Sequence, residues 1–95
     1  MKNPLKEWRA ETGYSRIEAA RALGFNYSFY CQIEKGIYPP TKTLLAALER
    51  AGQESERCPV IDLVEFMTKW ARYEAAQRRE MLARRRDSPA VEAMA

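Results

Sequence analysis

The side chains best suited to recognising another molecule lie in one segment, "SRIEAARALGFNYSFYCQIEKG", residues 15–36. Its second half contains the hydroxyl of Ser28, the amide of Gln32 and the ammonium of Lys35. Hydroxyl and amide groups form hydrogen bonds that suit base edges in a major groove, and lysine suits a phosphate. The segment therefore offers chemistry for binding nucleic acid.

Catalytic and metal-binding chemistry is poorly represented in the chain. There is no histidine, which is the commonest general base and metal ligand. Cys31 and Cys58 are far apart in the sequence and are not spaced like metal ligands. With no phosphate-binding loop and no paired carboxylates, we expect no enzymatic activity, no metal and no cofactor. Both cysteines are interpreted as small apolar side chains, with a redox or disulfide role as the alternative.

Four short helices, each with marked ends, are predicted to position the recognition segment. Ser15 and Glu18, three residues apart, form a capping-box pattern before an apolar periodicity. The predicted caps and stops are, in chain order, Asn3 and Gly13, Ser15 and Gly24, Asn26 and Gly36, and Thr41 and Gly52. Residues 1–52 therefore form one helical unit.

A longer helix is predicted after this unit. Residues 53–58 are interpreted as a polar linker, and Pro59 is expected to open a helix over residues 59–86. Residues 87–95 are expected to be a flexible tail. No strand-like alternation is present, so the fold class is all-α. Apolar side chains at three- and four-residue steps form one stripe on the long helix: Val60, Leu63, Val64, Met67 and Trp70.

The third helix is predicted to have two distinct faces. At about 100° per residue, Tyr30 and Ile33 fall on one side of the helical wheel, and this side is expected to enter the core. The opposite side carries Ser28, Gln32 and Lys35, which are expected to point outward. The unit thus fits a helix-turn-helix, in which Gly24 supplies the turn.

The other aromatic residues of the segment divide between two roles. Tyr27 lies in the first turn of the third helix and can extend beyond the helix end. We expect Tyr27 to face nucleic acid or a neighbouring chain, with Phe29 as a further candidate, whereas Phe25 joins the core with Tyr30.

Three stretches within residues 5–52 resemble the lambda-repressor-like, Cro/CI-type helix-turn-helix family. They are "LKEWRAETGYS", "IEAARALGF" and "QIEKGIYPPTKTLLAALERAG". The resemblance implies a four-to-five-helix domain whose third helix enters the major groove of a double-stranded operator, with dimers binding two half-sites. Here the domain is followed by the additional long C-terminal helix.

The resemblance also implies roles for individual positions. The implied base contacts are Tyr27, Ser28 and Gln32. The implied sugar-phosphate contacts are Arg16, Asn26, Lys35, Thr41 and Lys42. Arg9 and Glu34 match a pair that forms a structural salt bridge in some members. The chain departs from the family where aromatic Tyr27, Phe29 and Tyr30 replace short polar or aliphatic residues, so Tyr27 is expected to pack on a thymine methyl group.

Charge is distributed unevenly around the net value of +3. Counting Lys and Arg against Asp and Glu gives +3 for residues 1–52, −3 for 53–68, +5 for 69–86 and −2 for 87–95. Two basic zones indicate a polyanionic partner. The run "RREMLARRR" is interpreted as a solvated helix end that the helix dipole favours, or as a source of extra phosphate contacts.

The long helix leaves two functions open. Over 28 residues it would extend about 42 Å and overhang the small unit, so its stripe is expected to form the seam of a homodimer. The chain is then a small phage, plasmid or prokaryotic repressor, expected in the cytoplasm because no membrane-spanning run or secretion signal is visible. The alternative is an antitoxin or antirepressor whose C-terminal helix binds a partner protein.

Overall fold

Five helices form the structure, a computed structural model that describes residues 2–86, with side chains described as far as Arg84. The helices are α1 (Pro4–Thr12), α2 (Arg16–Leu23), α3 (Tyr27–Glu34), α4 (Lys42–Glu54) and α5 (Leu63–Arg86). No strand occurs in this range, and the predicted all-α class is confirmed. The tail predicted for residues 87–95 lies outside the described residues.

The four predicted N-caps are confirmed by side-chain hydrogen bonds. Asn3 Oδ1 accepts from the Leu5 amide at 2.8 Å, and Asn26 Oδ1 accepts from the Ser28 amide at 2.9 Å. Thr41 Oγ1 accepts from Leu44 at 3.1 Å. At α2, Ser15 and Glu18 form both bonds of the capping box. These bonds satisfy amides that the first turn of a helix leaves without partners.

The predicted stop at Gly52 is wrong, because α4 continues through it to Glu54. A Cβ atom at Gly52 would lie 2.8 Å from the Pro59 carbonyl oxygen and 3.1 Å from the Val60 Cα. The residue is therefore a site of close backbone approach. Residues 59–60 cross α4 where the missing side chain leaves room.

The segment after α4 is anchored to the helical unit, which differs from the free linker expected for residues 53–58. Arg57 Nε donates to the Thr12 carbonyl at 2.7 Å, and its guanidinium lies 4.3 Å from the ring centroid of Tyr14. Cys58 is buried against the same tyrosine. Polar composition concealed this anchor, because an arginine packs through its guanidinium face and its aliphatic stem.

The last helix begins at Leu63, four residues later than the predicted start at Pro59. The Asp62 carboxylate accepts from the amides of Val64 and Glu65 at 2.9 and 3.2 Å. Residues 59–62 have no regular structure and run between α4 and α5. An aspartate before the first turn is a stronger start signal here than the proline.

The apolar stripe of α5 divides between two faces. Phe66, Trp70 and Tyr73 enter the core of the helix-turn-helix unit, with Trp70 only 2% exposed. Their rings form a continuous series, at centroid distances of 6.1 Å and 5.6 Å. Trp70 is thus occupied within its own chain, which corrects its assignment to a dimer seam. Val64 and Met67 remain exposed.

The structure is elongated, with principal extents of 55 × 25 × 22 Å. At 1.5 Å per residue, the 24 residues of α5 span about 36 Å. Within residues 63–84, Tyr73 is the last buried residue of this helix. We refer to residues 75–84 as the α5 arm; apart from the half-buried Ala76, its residues are exposed.

Candidate nucleic-acid interface

Small residues and a left-handed turn set the position of α3 on α2. Ala19 and Ala20 are buried at the crossing of the two helices. Gly24 ends α2 with φ +71°, a conformation that glycine adopts without a side-chain clash. The Phe25 amide then donates to the Ala20 carbonyl at 2.8 Å, and Asn26 starts α3. This three-residue connection presents the first turn of α3 on the surface.

The two faces of α3 are those that its sequence predicts, with one difference in degree. Tyr30 and Ile33 are fully buried, whereas Ser28 and Lys35 are exposed. Gln32 is half-buried. Gln32 therefore lies at the edge of the outer face, partly accessible to a ligand.

Tyr27 extends from the first turn of α3, with 47% of its surface exposed. The interaction of its hydroxyl with the Cys31 thiol, one turn later, raises the pKa of Tyr27, and the nearby Arg16 opposes this effect. The phenol is therefore neutral at physiological pH and can donate a hydrogen bond. Its ring and hydroxyl are both available to a ligand.

Phe29 is held in an aromatic series and is not presented like Tyr27. Its ring is 6.1 Å from that of Phe25 and 5.8 Å from that of Tyr38, measured between centroids. The residue is half-buried and packs against the core. The series links the α2–α3 turn to the α3–α4 loop, so the expectation that Phe29 faces a ligand gives way to a structural role.

A buried carboxylate joins three helices behind the outer face of α3. Arg9 Nη2 donates to Glu34 Oε1 at 2.9 Å, while Arg9 Nε lies 3.1 Å from Oε2. Arg16 Nε lies 3.6 Å from Oε1. This hydrogen bonding raises the pKa of Arg9 against the effect of burial. Arg16 keeps 45% of its side chain exposed, so it can also contact an anion.

The other predicted backbone contacts lie at or beside helix ends. Lys35 and Lys42 are exposed. Asn26 and Thr41 use their side-chain oxygens as N-caps, which leaves the amide nitrogen of Asn26 and the hydroxyl hydrogen of Thr41 as donors. Two caps, two lysines and an arginine therefore lie at or near helix N-termini or the end of α3.

The loop between α3 and α4 contains residues that the sequence did not single out. Ile37 and Tyr38 are 61% and 46% exposed. Gly36 has φ +82°, and a Cβ atom there would lie 2.5 Å from the Tyr73 hydroxyl. Tyr73 of α5 thus packs against the loop directly after Lys35. The signal available in the sequence was an apolar pair before two prolines, since a proline restricts the backbone of the residue that precedes it.

Other kinds of site find little support within residues 2–86. In this range no three His, Cys, Asp or Glu side chains come together in a way that could hold a metal ion. None of the helices described is long and apolar enough to cross a membrane.

Comparison with known proteins agrees with this geometry. Residues 5–57 match a helix-turn-helix family model, which is more than half of the chain. No match was found among curated proteins or among solved structures. The matched range covers α1 to α4 and the anchored segment up to Arg57. The chain therefore belongs to the lambda-repressor-like, Cro/CI-type helix-turn-helix family and carries the DNA-binding domain of that family.

Proposed function

We propose that this protein is a sequence-specific repressor of transcription that inserts α3 into the major groove of duplex DNA. The observation that carries the proposal is the division of α3 into a buried face and an outer face. The outer face carries Tyr27, Ser28 and Gln32, between the cations Arg16 and Lys35. An α-helix fits the major groove, where each base pair presents a distinct pattern of donors and acceptors.

The three outer side chains have different roles in the proposal. The amide of Gln32 pairs with a base edge, since Gln forms two hydrogen bonds with adenine. Ser28 supplies a hydroxyl that accepts or donates. The ring of Tyr27 packs on a thymine methyl group, while its neutral hydroxyl donates to a neighbouring acceptor.

Phosphate contacts place α3 in register without selecting sequence. Arg16 lies at the N-terminus of α2 and Lys42 at that of α4, where backbone amides and the helix dipole also favour an anion. Lys35, Asn26 and Thr41 complete the set. The buried Glu34 neutralises part of the Arg16 charge, so Arg16 also holds α2 against α3.

We further propose that a second copy binds on the outer face of α5. Leu63, Val64, Met67, Thr68 and Ala71 line a shallow apolar surface there. Val60, which is 85% exposed, precedes it. A twofold dimer would place two copies of α3 on successive half-sites and block access of polymerase to the operator. An unrelated protein on the same surface is the antitoxin or antirepressor alternative.

The test is selection of binding sites from random duplexes with the full chain, followed by affinity measurements on the selected sequence. Gln32→Ala is expected to weaken specific binding by about 1–3 kcal/mol and to relax preference at one base position in each half-site. Gln53→Ala removes the same type of side chain from an exposed position of α4 and serves as the matched control. It should leave both the affinity and the base preference unchanged.

Two results would overturn the assignment. Failure of the full chain to enrich any sequence would exclude specific recognition. Enrichment of the same motif with equal affinity by the Gln32→Ala variant would show that α3 does not present the recognition surface.

A further inference from the structure

The α5 arm extends from the edge of the candidate DNA interface. Tyr73, two residues before the arm, packs its hydroxyl against Gly36, which follows Lys35 in the chain. The base of the arm is therefore beside the end of α3 and the start of the α3–α4 loop. A ligand held by Lys35 would lie close to the point where α5 leaves the folded core.

The side chains of the arm do not continue the buried face of α5. At about 100° per residue, the positions in line with Phe66 and Tyr73 are Gln77 and Arg84, which are polar and exposed. The apolar face that packs on the domain therefore ends before the arm. It projects into solvent over ten residues, or about 15 Å.

The arm and the turn before it carry an excess of positive charge. The cations are Arg72, Arg78, Arg79 and Arg84, and the anions are Glu74 and Glu80. Two glutamates form exposed i,i+4 pairs with arginines, at 3.7 Å to Arg78 and 2.7 Å to Arg84. Such pairs contribute little to stability and leave the arginines available to another anion. Within residues 2–84, Arg72 and Arg79 form no ion pair.

We infer that the α5 arm binds the phosphates of duplex DNA beside the segment that α3 occupies. This inference rests on the proposed function, because it needs DNA at α3. A 15 Å arm spans about four base pairs of a duplex that carries one charge per 1.7 Å. Its guanidinium groups form bidentate contacts with phosphate and add affinity without sequence preference.

A second copy of the chain is the main rival occupant. Met81 and Leu82 are 58% and 53% exposed and could contact another helix. Charge favours DNA, because two copies of an arm with a net charge of +2 between Arg72 and Arg84, four cations less two anions, repel one another.

The test measures the affinity of the full chain for a 40-base-pair duplex of mixed sequence by fluorescence anisotropy, between 50 and 200 mM KCl. One variant combines Arg78→Gln, Arg79→Gln and Arg84→Gln, and its matched control replaces the same three arginines with lysine. A plot of log affinity against log salt concentration has a negative slope. Removing one arginine that neutralises a phosphate reduces the magnitude of this slope by about 0.9. For three such arginines, the factor by which affinity falls between 50 and 200 mM KCl becomes about 40-fold smaller in the glutamine variant than in the wild type.

The inference expects a shallower slope for the glutamine variant, a slope near that of the wild type for the lysine variant, and a steeper slope for Glu80→Gln. Sequence preference in the selection experiment should stay unchanged. Equal slopes for the wild type and the glutamine variant would overturn the inference. This holds whether or not the variant changes the oligomeric state measured by sedimentation. If the chain selects a specific sequence but the wild type and the glutamine variant have equal slopes, only the proposed role of the arm is rejected. If the wild type binds no duplex at all, the proposed function is rejected as well.

Discussion

At the scale of single residues, Glu34 shows how a charged side chain of α3 stabilises the fold. Its side chain is only 1% exposed, yet it is paired with Arg9 and approached by Arg16. A buried carboxylate is tolerated when its oxygens accept charged hydrogen bonds. The pair therefore connects α1 to α3 and sets the angle at which the outer side chains of α3 emerge.

Replacement of Arg9 by Met is expected to lower the free energy of unfolding by about 2–4 kcal/mol, because it removes the bidentate partner of a buried carboxylate. Urea denaturation monitored by circular dichroism measures the change. Lys6→Met, at an exposed position of the same helix, should change stability by less than about 0.5 kcal/mol.

The double variant Arg9→Met, Glu34→Leu provides a second check on the pair. Removal of both charges should restore much of the lost stability, because no uncompensated carboxylate is left in the core. Additive losses from the two substitutions would show that the two residues act independently.

At the scale of elements, the starts of the first four helices were predictable, and the contacts between helices were not. Local hydrogen bonds from Asn3, Ser15, Asn26 and Thr41 determine where helices start, and each involves residues two or three positions apart. Gly52 shows the limit of such local signals. Its role depends on Pro59, which reaches it through the folded chain.

Substitution Gly52→Ala is expected to destabilise the protein by about 1–3 kcal/mol, although alanine is the better helix former. The reason is the 2.8 Å separation between the new Cβ position and the Pro59 carbonyl oxygen. Thermal and urea unfolding measure whether the substitution lowers or raises the stability of the protein. Ala46→Gly, at an exposed site in the same helix, gives the propensity difference without the clash, expected at about 1 kcal/mol.

Removal of the Ser15 cap by Ser15→Ala should cost about 1 kcal/mol and alter the pH dependence of stability. The backbone amide of Ser15 and, to a lesser extent, its hydroxyl lower the pKa of Glu18 below its ordinary value of 4.5 by hydrogen bonding, and the alanine variant removes only the hydroxyl contribution. A carboxylate with a lowered pKa stabilises the fold above its unfolded-state pKa, and this contribution is lost as pH falls through the folded-state pKa. As pH falls below 4.5, the free energy of unfolding should thus decrease less for the variant than for the wild type. Equal pH profiles of the two proteins would contradict the assignment of this effect to the Ser15–Glu18 pair.

At the scale of the whole molecule, α5 contributes to two different surfaces. Its inner face completes the core through Phe66, Trp70 and Tyr73. Its outer face, with Val64 and Met67, has no partner among the described residues of this chain. The helix thus stabilises the DNA-binding unit on one side and exposes an apolar surface on the other.

The variants Val64→Asp and Met67→Asp are expected to convert a dimer into a monomer in sedimentation experiments, with little change in the free energy of unfolding of the monomer, since both side chains are exposed. Trp70→Ala is the contrasting variant. It should lower stability by about 3–5 kcal/mol, because the indole is 2% exposed in the core. A monomeric wild type, or a dimer that survives both aspartate variants, would exclude this seam.

The amino-acid sequence alone determined the starts and the order of the first four helices, the two faces of α3 and the family. These properties depend on interactions within one or two helical turns, such as caps, left-handed glycines and apolar periodicity. Ser28 and Lys35 could therefore be placed on the outer face from their spacing. Gln32 was placed there too, although packing leaves it only half-exposed.

Only the tertiary structure decided how the C-terminal third relates to the rest. Val64, Met67 and Trp70 form one stripe in the sequence, yet the angle at which α5 crosses the core buries Trp70 and leaves the other two exposed. The contacts of Arg57 with Thr12 and of Tyr73 with Gly36 join residues about 40 positions apart. Periodicity defines which residues share a helix face, but the packing of distant helices decides which part of that face water can reach.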